Sequence, residues 1–241
     1  MELSSFKWKN LEKNVVSIKS GIRKGEVKIN FPIFINENLG GIVGYILGDG
    51  SIDKRYSQVF FSNTKIELLK DFEYKMNQTF GIQPRIWIQK KSNFGNTKWD
   101  FRVNTLKNLP KNRCVGLFYP KICGIILHSI LGNFADGKNK QITTEIKNSH
   151  KLFLVHMIRA FFDSEASAYN KRNMIRVFQD NKDILEEIRN ILFSFDIKTN
   201  NVKYYIKKYK KRYYFDITNK ENFLKFHKVI GFNSNYKKLN S

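Results

Sequence analysis

Cysteine is almost missing from this chain. Cys114 and Cys123 are the only two, with no second pair and no nearby histidine at zinc-ligand spacing. This argues against a disulfide framework and a zinc site, and leaves reduced, intracellular thiols used in packing. Long apolar runs are missing as well: the longest, Leu39 to Leu47 and Cys123 to Leu131, fall well short of the roughly 20 residues of a transmembrane helix. No secretory signal is apparent, so no membrane partner is expected. Acidic residues are scarce, with 21 Asp plus Glu against 43 Lys plus Arg and a formal charge of +22 spread along the whole chain. Such a charge repels itself unless a polyanion matches it. Aromatic and apolar residues are too frequent for a disordered basic protein, so the composition points to a folded nucleic-acid binder ahead of a membrane-surface protein.

What the chain does contain is a duplication. Gly44, Tyr45, Ile46, Leu47, Gly48, Asp49, Gly50 is answered by Ala160, Phe161, Phe162, Asp163, Ser164, Glu165, Ala166, offset by 116 positions. Residues four apart share a helix face, so Gly44 with Gly48, and Ala160 with Ser164, form two flat faces on which helix backbones can nearly touch. If the faces pack together, the acid just past the end of each helix arrives at one place. Asp49 and Glu165 then face each other at two negative helix ends, an arrangement that needs compensating positive charge. A hard divalent cation such as Mg²⁺, which takes oxygen ligands and keeps waters, suits it. Asp163 serves as a control, because its counterpart is Leu47.

After each of these helices the pattern turns from helical to alternating, as strands require. Ile86 and Ile88 face away from Arg85, Trp87, Gln89 and Lys91, and Trp99, Phe101 and Val103 away from Lys98, Asp100, Arg102 and Asn104. In the second half Val202, Tyr204 and Ile206 oppose Asn201, Lys203, Tyr205 and Lys207, while Tyr213, Phe215 and Ile217 oppose Arg212, Tyr214, Asp216 and Thr218. Helices at Lys65 to Phe80 and Asn181 to Phe195, with apolar positions at helical spacing, should cover the greasy faces. The segment from Pro120 to His150 joins the halves through a helix at Ile122 to Leu131 and a turn at Asp136 to Lys138. Residues 1–36 lie outside the repeat, and their charges, among them Lys13, Lys19, Arg23, Lys24 and Lys28, either meet DNA backbone or belong to an idle extension.

Ile42 to Gly50 and Ile158 to Ala166 resemble the two signature helices of LAGLIDADG homing endonucleases in their monomeric two-repeat form. Phe61 to Lys65 is echoed by Phe178 to Lys182, and Trp99 to Val103 by Tyr213 to Ile217. The second motif departs in having Glu165 for Asp, Ser164 and Ala166 for glycines, and His156 opposite Gly40, where it is expected to widen one end of the helix pair. The resemblance implies an α+β fold of two pseudo-symmetric αββαββα repeats, a saddle of two antiparallel sheets around a central two-helix interface. The division is a basic extension (1–36), a first repeat (37–119), a linker (120–150) and a second repeat (151–241).

The same resemblance implies an intron-encoded, site-specific DNA endonuclease that makes a double-strand break with 3′ extensions at a long asymmetric target. Asp49 and Glu165, with the carbonyls of Gly48 and Ser164, would hold two or three Mg²⁺ ions, Mn²⁺ substituting. Asn63 and Asp180 would orient water, and Lys121 and Lys237 would supply the nearby lysines. Base reading in the major groove, which admits a two-stranded ribbon, falls to Arg85, Gln89, Arg102 and Asn104 in one half and to Asn201, Lys203, Arg212 and Asp216 in the other. Lys91, Lys98, Asp100, Tyr205, Lys207 and Tyr214 share those faces. An RNA-binding maturase acting on its own intron and a non-catalytic DNA-binding regulator of similar fold are the rival readings. The intact acids favour a monomeric nuclease, in a prokaryotic cytoplasm or an organelle.

Overall fold

The computed structural model describes residues 18–19, 26–55, 57–89, 99–107, 109, 113–137, 139–207, 209–234 and 237. A short hairpin, β1 (Ile18–Lys19) and β2 (Glu26–Val27), precedes the repeats. The chain after it is part of the fold: Ile33 is buried in the core, and the Asn30 N–H donates to the Phe80 carbonyl at 3.1 Å. Helix α1 (Glu37–Leu47) begins at Asn36, whose side chain accepts the Leu39 N–H, satisfying a donor that helix starts leave orphaned. There follow β3 (Gly50–Ile52), β4 (Val59–Asn63), α2 (Ile66–Phe80), β5 (Arg85–Gln89), β6 (Trp99–Val103), β7 (Val115–Phe118) and α3 (Lys121–Leu131). The linker then forms the hairpin β8 (Ala135–Asp136) and β9 (Asn139–Lys140), and a one-turn helix, α4 (Thr144–Lys147). The second repeat comprises α5 (Lys151–Glu165), β10 (Ala166–Tyr169), β11 (Met174–Gln179), α6 (Lys182–Ser194), β12 (Lys203–Lys207), β13 (Lys210–Ile217) and α7 (Lys220–Val229). Among the described residues no helix is long and apolar enough to cross a membrane.

Each repeat is an antiparallel sheet with helices over one face, in the order β3-β4-β7-β5-β6 for the first and β10-β11-β13-β12 for the second. Position in the sheet identifies the true counterparts. Gly50 pairs with Phe61 and Ala166 with Val177, so β4 matches β11 at the same offset as the acids. Beside β4 lies β7, which leads into α3; beside β11 lies β13, which leads into α7. The counterpart of β13 is therefore β7, and the resemblance of Trp99 to Val103 to Tyr213 to Ile217 is not structural. β6 is an added edge strand, and the apolar run from Val115 to Phe118, which has no alternation, is the strand that periodicity missed.

The core follows the alternation closely in the sheet centres, where Ile86, Ile88, Val177, Phe215 and Ile217 are almost fully buried. It fails at the edges. Tyr204 and Ile206 are 57% and 67% exposed, because β12 is the last strand of its sheet. Phe101, on the opposite outer strand β6, is exposed for the same reason.

The repeats meet through α1 and α5. A Cβ placed on Gly44 would lie 2.0 Å from the Met157 carbonyl oxygen, and one on Gly40 2.3 Å from that of Phe153. At Gly48 the same atom would fall 2.6 Å from Ser164 Cβ. The α1 backbone thus meets the α5 backbone at Gly40 and Gly44 and the Ser164 side chain at Gly48, and His156 does not widen the pair. The residue across from Gly40 is Phe153, while His156 lies half-buried to the side. Burial, with Arg159 and Lys75 nearby, lowers the pKa of His156. A buried polar network adds to this seam: Tyr45 Oη donates to Asp71 at 2.7 Å and Asn233 Nδ2 to the same carboxylate at 3.2 Å. Asp163 accepts the N–H groups of Asn233 and Ser234 at 3.0 and 3.1 Å, so this acid fastens the C-terminal segment.

Gly44→Ala tests the seam. Even one methyl group would have to displace a main-chain carbonyl, so the variant should lose about 1–3 kcal/mol or more in urea denaturation. A melting curve equal to that of the parent protein would remove the close helix pair from the description.

Candidate functional site at the joined helix ends

Gly48 caps α1 and Asp49 lies one residue beyond it, whereas Glu165 is the last residue of α5 itself. The close backbone contact brings the two carboxylates together, near enough for Asp49 to raise the pKa of Glu165. Asp49 is open to solvent on one side, but the protein packed around it pushes its pKa up to about 6, against the opposing pull of Lys140, Lys237 and a hydrogen bond from Asn63. Burial first, and Asp49 second, lift Glu165 to about 7. Ordinary carboxylates titrate near 4, so this pair is held in an environment that resists its full charge.

Each acid has an amide partner at the end of the neighbouring strand. Asn63 Nδ2 donates to Asp49 at 2.8 Å, and Gln179 Nε2 to Glu165 at 3.2 Å. The strand register makes Gln179 the counterpart of Asn63, one residue before the expected Asp180. Asp180 instead accepts a hydrogen bond from Arg212 Nε at 2.8 Å on the outer face of the sheet. The motif comparison slipped by one residue there, which turns a side chain to the other face of a strand.

Two lysines neutralise the joined ends. Lys140 Nζ donates to the carbonyls of Gly48 and Leu47 at 2.5 and 3.1 Å, and Lys237 Nζ to those of Asp163 and Phe162 at 2.6 and 2.9 Å. Both therefore sit at the negative ends of the helix dipoles. Burial lowers both pKa values, that of Lys237 to about 8, while the neighbouring acids oppose the drop. Lys237 is where the motif placed a lysine. The second is Lys140 and not Lys121, which stands exposed at the start of α3. Lys140 had no local signal; the β8–β9 hairpin delivers it, held by a Gly137 N–H bond to the Ile52 carbonyl at 2.8 Å. Asn181 Nδ2 bonds the Lys140 carbonyl at 2.9 Å from the other repeat.

The expected reading faces are partly confirmed as exposed surface and partly tied up in ion pairs. Arg85, Arg102, Asn104, Asn201, Lys203 and Lys207 are exposed, and Gln89, Tyr205, Arg212 and Tyr214 are half-buried. Asn201 accepts a hydrogen bond from Arg189 at 3.0 Å. Asp216 is withdrawn from any base-reading role: it is 7% exposed and held by both branches of Arg176 at 2.6 and 2.9 Å. Lys91 and Lys98 lie outside the described residues, as does the side chain of Asp100.

A family model for the LAGLIDADG-like domain matches residues 36–112 and 153–231. The chain belongs to the LAGLIDADG family, in the form that carries two repeats in one polypeptide. No curated protein matches the sequence. Among solved structures, the homing endonuclease I-DmoI in complex with DNA and Mn superposes with a TM-score of 0.54 at 14% identity, over 83% of this chain and 99% of that one. Full-length DUF199/WhiA from Thermatoga maritima gives 0.53 at 16% identity, over 84% of this chain and 58% of its own. Other structures of I-DmoI hold DNA with Ca, or target DNA in the presence of Mg. These likenesses carry the fold, and the WhiA match shows that the fold is not confined to homing endonucleases.

The raised acids set a pH dependence with a definite sign. An unfolded chain ionises these carboxyls near pH 4, the folded one only near 6 and 7. Between those values the folded state binds more protons, so their contribution to stability is present at low pH and lost as pH rises to about 7. Glu165→Gln should therefore unfold at a higher urea concentration than the parent at pH 8, without divalent metal, and show little difference at pH 4. Equal gains at both pH values would mean that Glu165 is not strained by its surroundings.

Proposed function

We propose that this chain is a site-specific DNA endonuclease of the homing type, cutting both strands of a long asymmetric duplex as a monomer with divalent metal. The observation that carries this reading is the convergence of one acid from each repeat at a seam between helices, where both carboxylates resist ionisation and two lysines attend them. A binding role without cleavage leaves that costly arrangement without a reason.

The residues fit a hard divalent cation. Two carboxylates and the Ser164 carbonyl form an all-oxygen donor set, and among the described residues no cluster of three His, Cys, Asp or Glu offers a closed cage. Mg²⁺ suits such a sparse set, since it draws its remaining ligands from water and substrate phosphate; Mn²⁺ should substitute. When bound, the metal supplies a water of lowered pKa and charge stabilisation at the phosphate. The chain's own groups do the rest. Asp49 and Glu165 would hold the metal charge, with Ser164 contributing its carbonyl; the expected Gly48 carbonyl instead accepts the Lys140 ammonium at 2.5 Å. Asn63 and Gln179 fix the two carboxylates and are placed to orient water. Lys140 and Lys237 offset negative charge that the incoming phosphates would add, and the exposed basic sheet faces would hold the duplex through phosphate contacts. A maturase would use the same basic surface for RNA, and the same assay separates the two.

Incubation with the intronless form of the host gene and Mg²⁺, followed by mapping of the cut ends, should give a double-strand break with 3′ extensions. Asp49→Asn and Glu165→Gln should each abolish that break while leaving specific duplex binding largely intact. Lys140→Met should slow cleavage by about 10²-fold, the usual scale for removing a preorganised charge. Asp163→Asn should lower stability through the C-terminal segment yet leave the folded fraction active. Cleavage by either acid variant, or inactivity of a well-folded Asp163→Asn protein, would overturn the assignment.

A further inference from the structure

The outer faces of the two sheets carry different chemistry at equivalent positions. In the second sheet Phe178, Tyr205 and Tyr214 form a mutually contacting trio, with ring centroids 6.2 Å apart for Phe178 with either tyrosine and 6.1 Å for the tyrosine pair. Their neighbours Val177 and Phe215 are fully buried, so side-chain alternation turns Phe178 and Tyr214 to the face opposite the core. All three rings are half-buried there. In the first sheet, register puts Ser62 opposite Gly116 where the second has Phe178 opposite Tyr214. Gln89 occupies the place of Tyr205, since Trp87 pairs with Gly116 as Lys203 pairs with Tyr214. At these three positions the second repeat is aromatic and the first is not; one same-face pair along these strands the pattern reverses, with Phe60 against Phe118 at 4.7 Å between ring centroids in the first sheet where the second has Arg176 opposite Asp216.

The arginines around the trio are already engaged. Arg176 lies over the Tyr214 ring at 4.6 Å with its guanidinium clamped bidentately by Asp216. Arg212, cross-strand from Tyr205, has its Nε committed to Asp180. The Arg176 fork that would pair with guanine is thus diverted and Arg212 is tethered through its Nε, while Lys203 and Lys207 are exposed at the margin to meet a polyanion. An aromatic platform with a cationic rim, presented to a major groove, matches through its ring surfaces the C5-methyl group of thymine.

We propose that the second repeat reads part of its half-site by apolar contact of Phe178, Tyr205 and Tyr214 with thymine methyl groups. This rests on the duplex-DNA reading above and adds the specificity of one half. The test begins with duplexes enriched by the full-length protein from a randomised library without divalent metal. Deoxyuridine, which lacks only the methyl group, then replaces thymidine in one half-site at a time, and affinity is followed by fluorescence anisotropy. One half-site should be thymine-rich, and each critical replacement there should weaken binding about fourfold, the factor equivalent to ~0.8 kcal/mol for one buried methylene-sized group. The other half-site serves as the control, since neither of the variants below should alter its response. Tyr214→Ser and Phe178→Ser, checked for an unchanged fold by circular dichroism, should abolish the sensitivity.

Specific binding that is indifferent to deoxyuridine, or a sensitivity that both variants retain, overturns the proposal and leaves the endonuclease reading standing. Failure to enrich any duplex, with preference for single-stranded RNA in competition, overturns both and assigns the aromatic face to base stacking.

Discussion

The contact of two helix backbones at Gly40, Gly44 and Gly48 is the constraint on which the rest of the molecule depends. With no side chain on the α1 face and only small ones at Ala160 and Ser164 on that of α5, the two helices end side by side, and the distance between their ends sets the distance between Asp49 and Glu165. The same contact fixes the relation of the two sheets, because β3 and β10 leave directly from those helix ends. A polar seam through Tyr45, Asp71, Asn233 and Asp163 crosses the same boundary, so the halves are joined by oriented hydrogen bonds as well as by close packing.

That geometry carries an electrostatic cost, and the chain answers it from outside the repeated motif. Lys140 comes from the linker hairpin and Lys237 from beyond the last helix, and each reaches the carbonyls at one helix end. The segments that interrupt or follow the repeats therefore complete the site, while the repeats provide its acids and amides. Duplication also left room for divergence. β6 was added to one sheet only, and equivalent outward positions became Ser62, Gln89 and Gly116 in one repeat and Phe178, Tyr205 and Tyr214 in the other. A two-fold frame with unlike faces suits an asymmetric duplex better than two identical faces would.

The sequence by itself determined the duplication, the helices that carry it, the two acids and the basic character of the surface. These are local or periodic properties: small residues four apart, an acid at a helix end and alternating strands can all be read without knowing what lies across the fold. Asn63 was named only by the family resemblance, and the fold sets its side chain on Asp49. Tertiary structure alone decided which strand neighbours which, and so replaced β6 by β7 as the partner of the repeat. It also replaced Asp180 by the amide of Gln179 as the partner of the second acid, because register is a property of paired strands and a one-residue slip leaves the sequence equally plausible. Asp216 looked like a reading residue by alternation and is instead clamped by Arg176 from a strand 40 residues away. Lys140 was invisible for a similar reason: it lies 92 residues from the Gly48 carbonyl that it binds, and only chain folding brings an ammonium to a distant helix end.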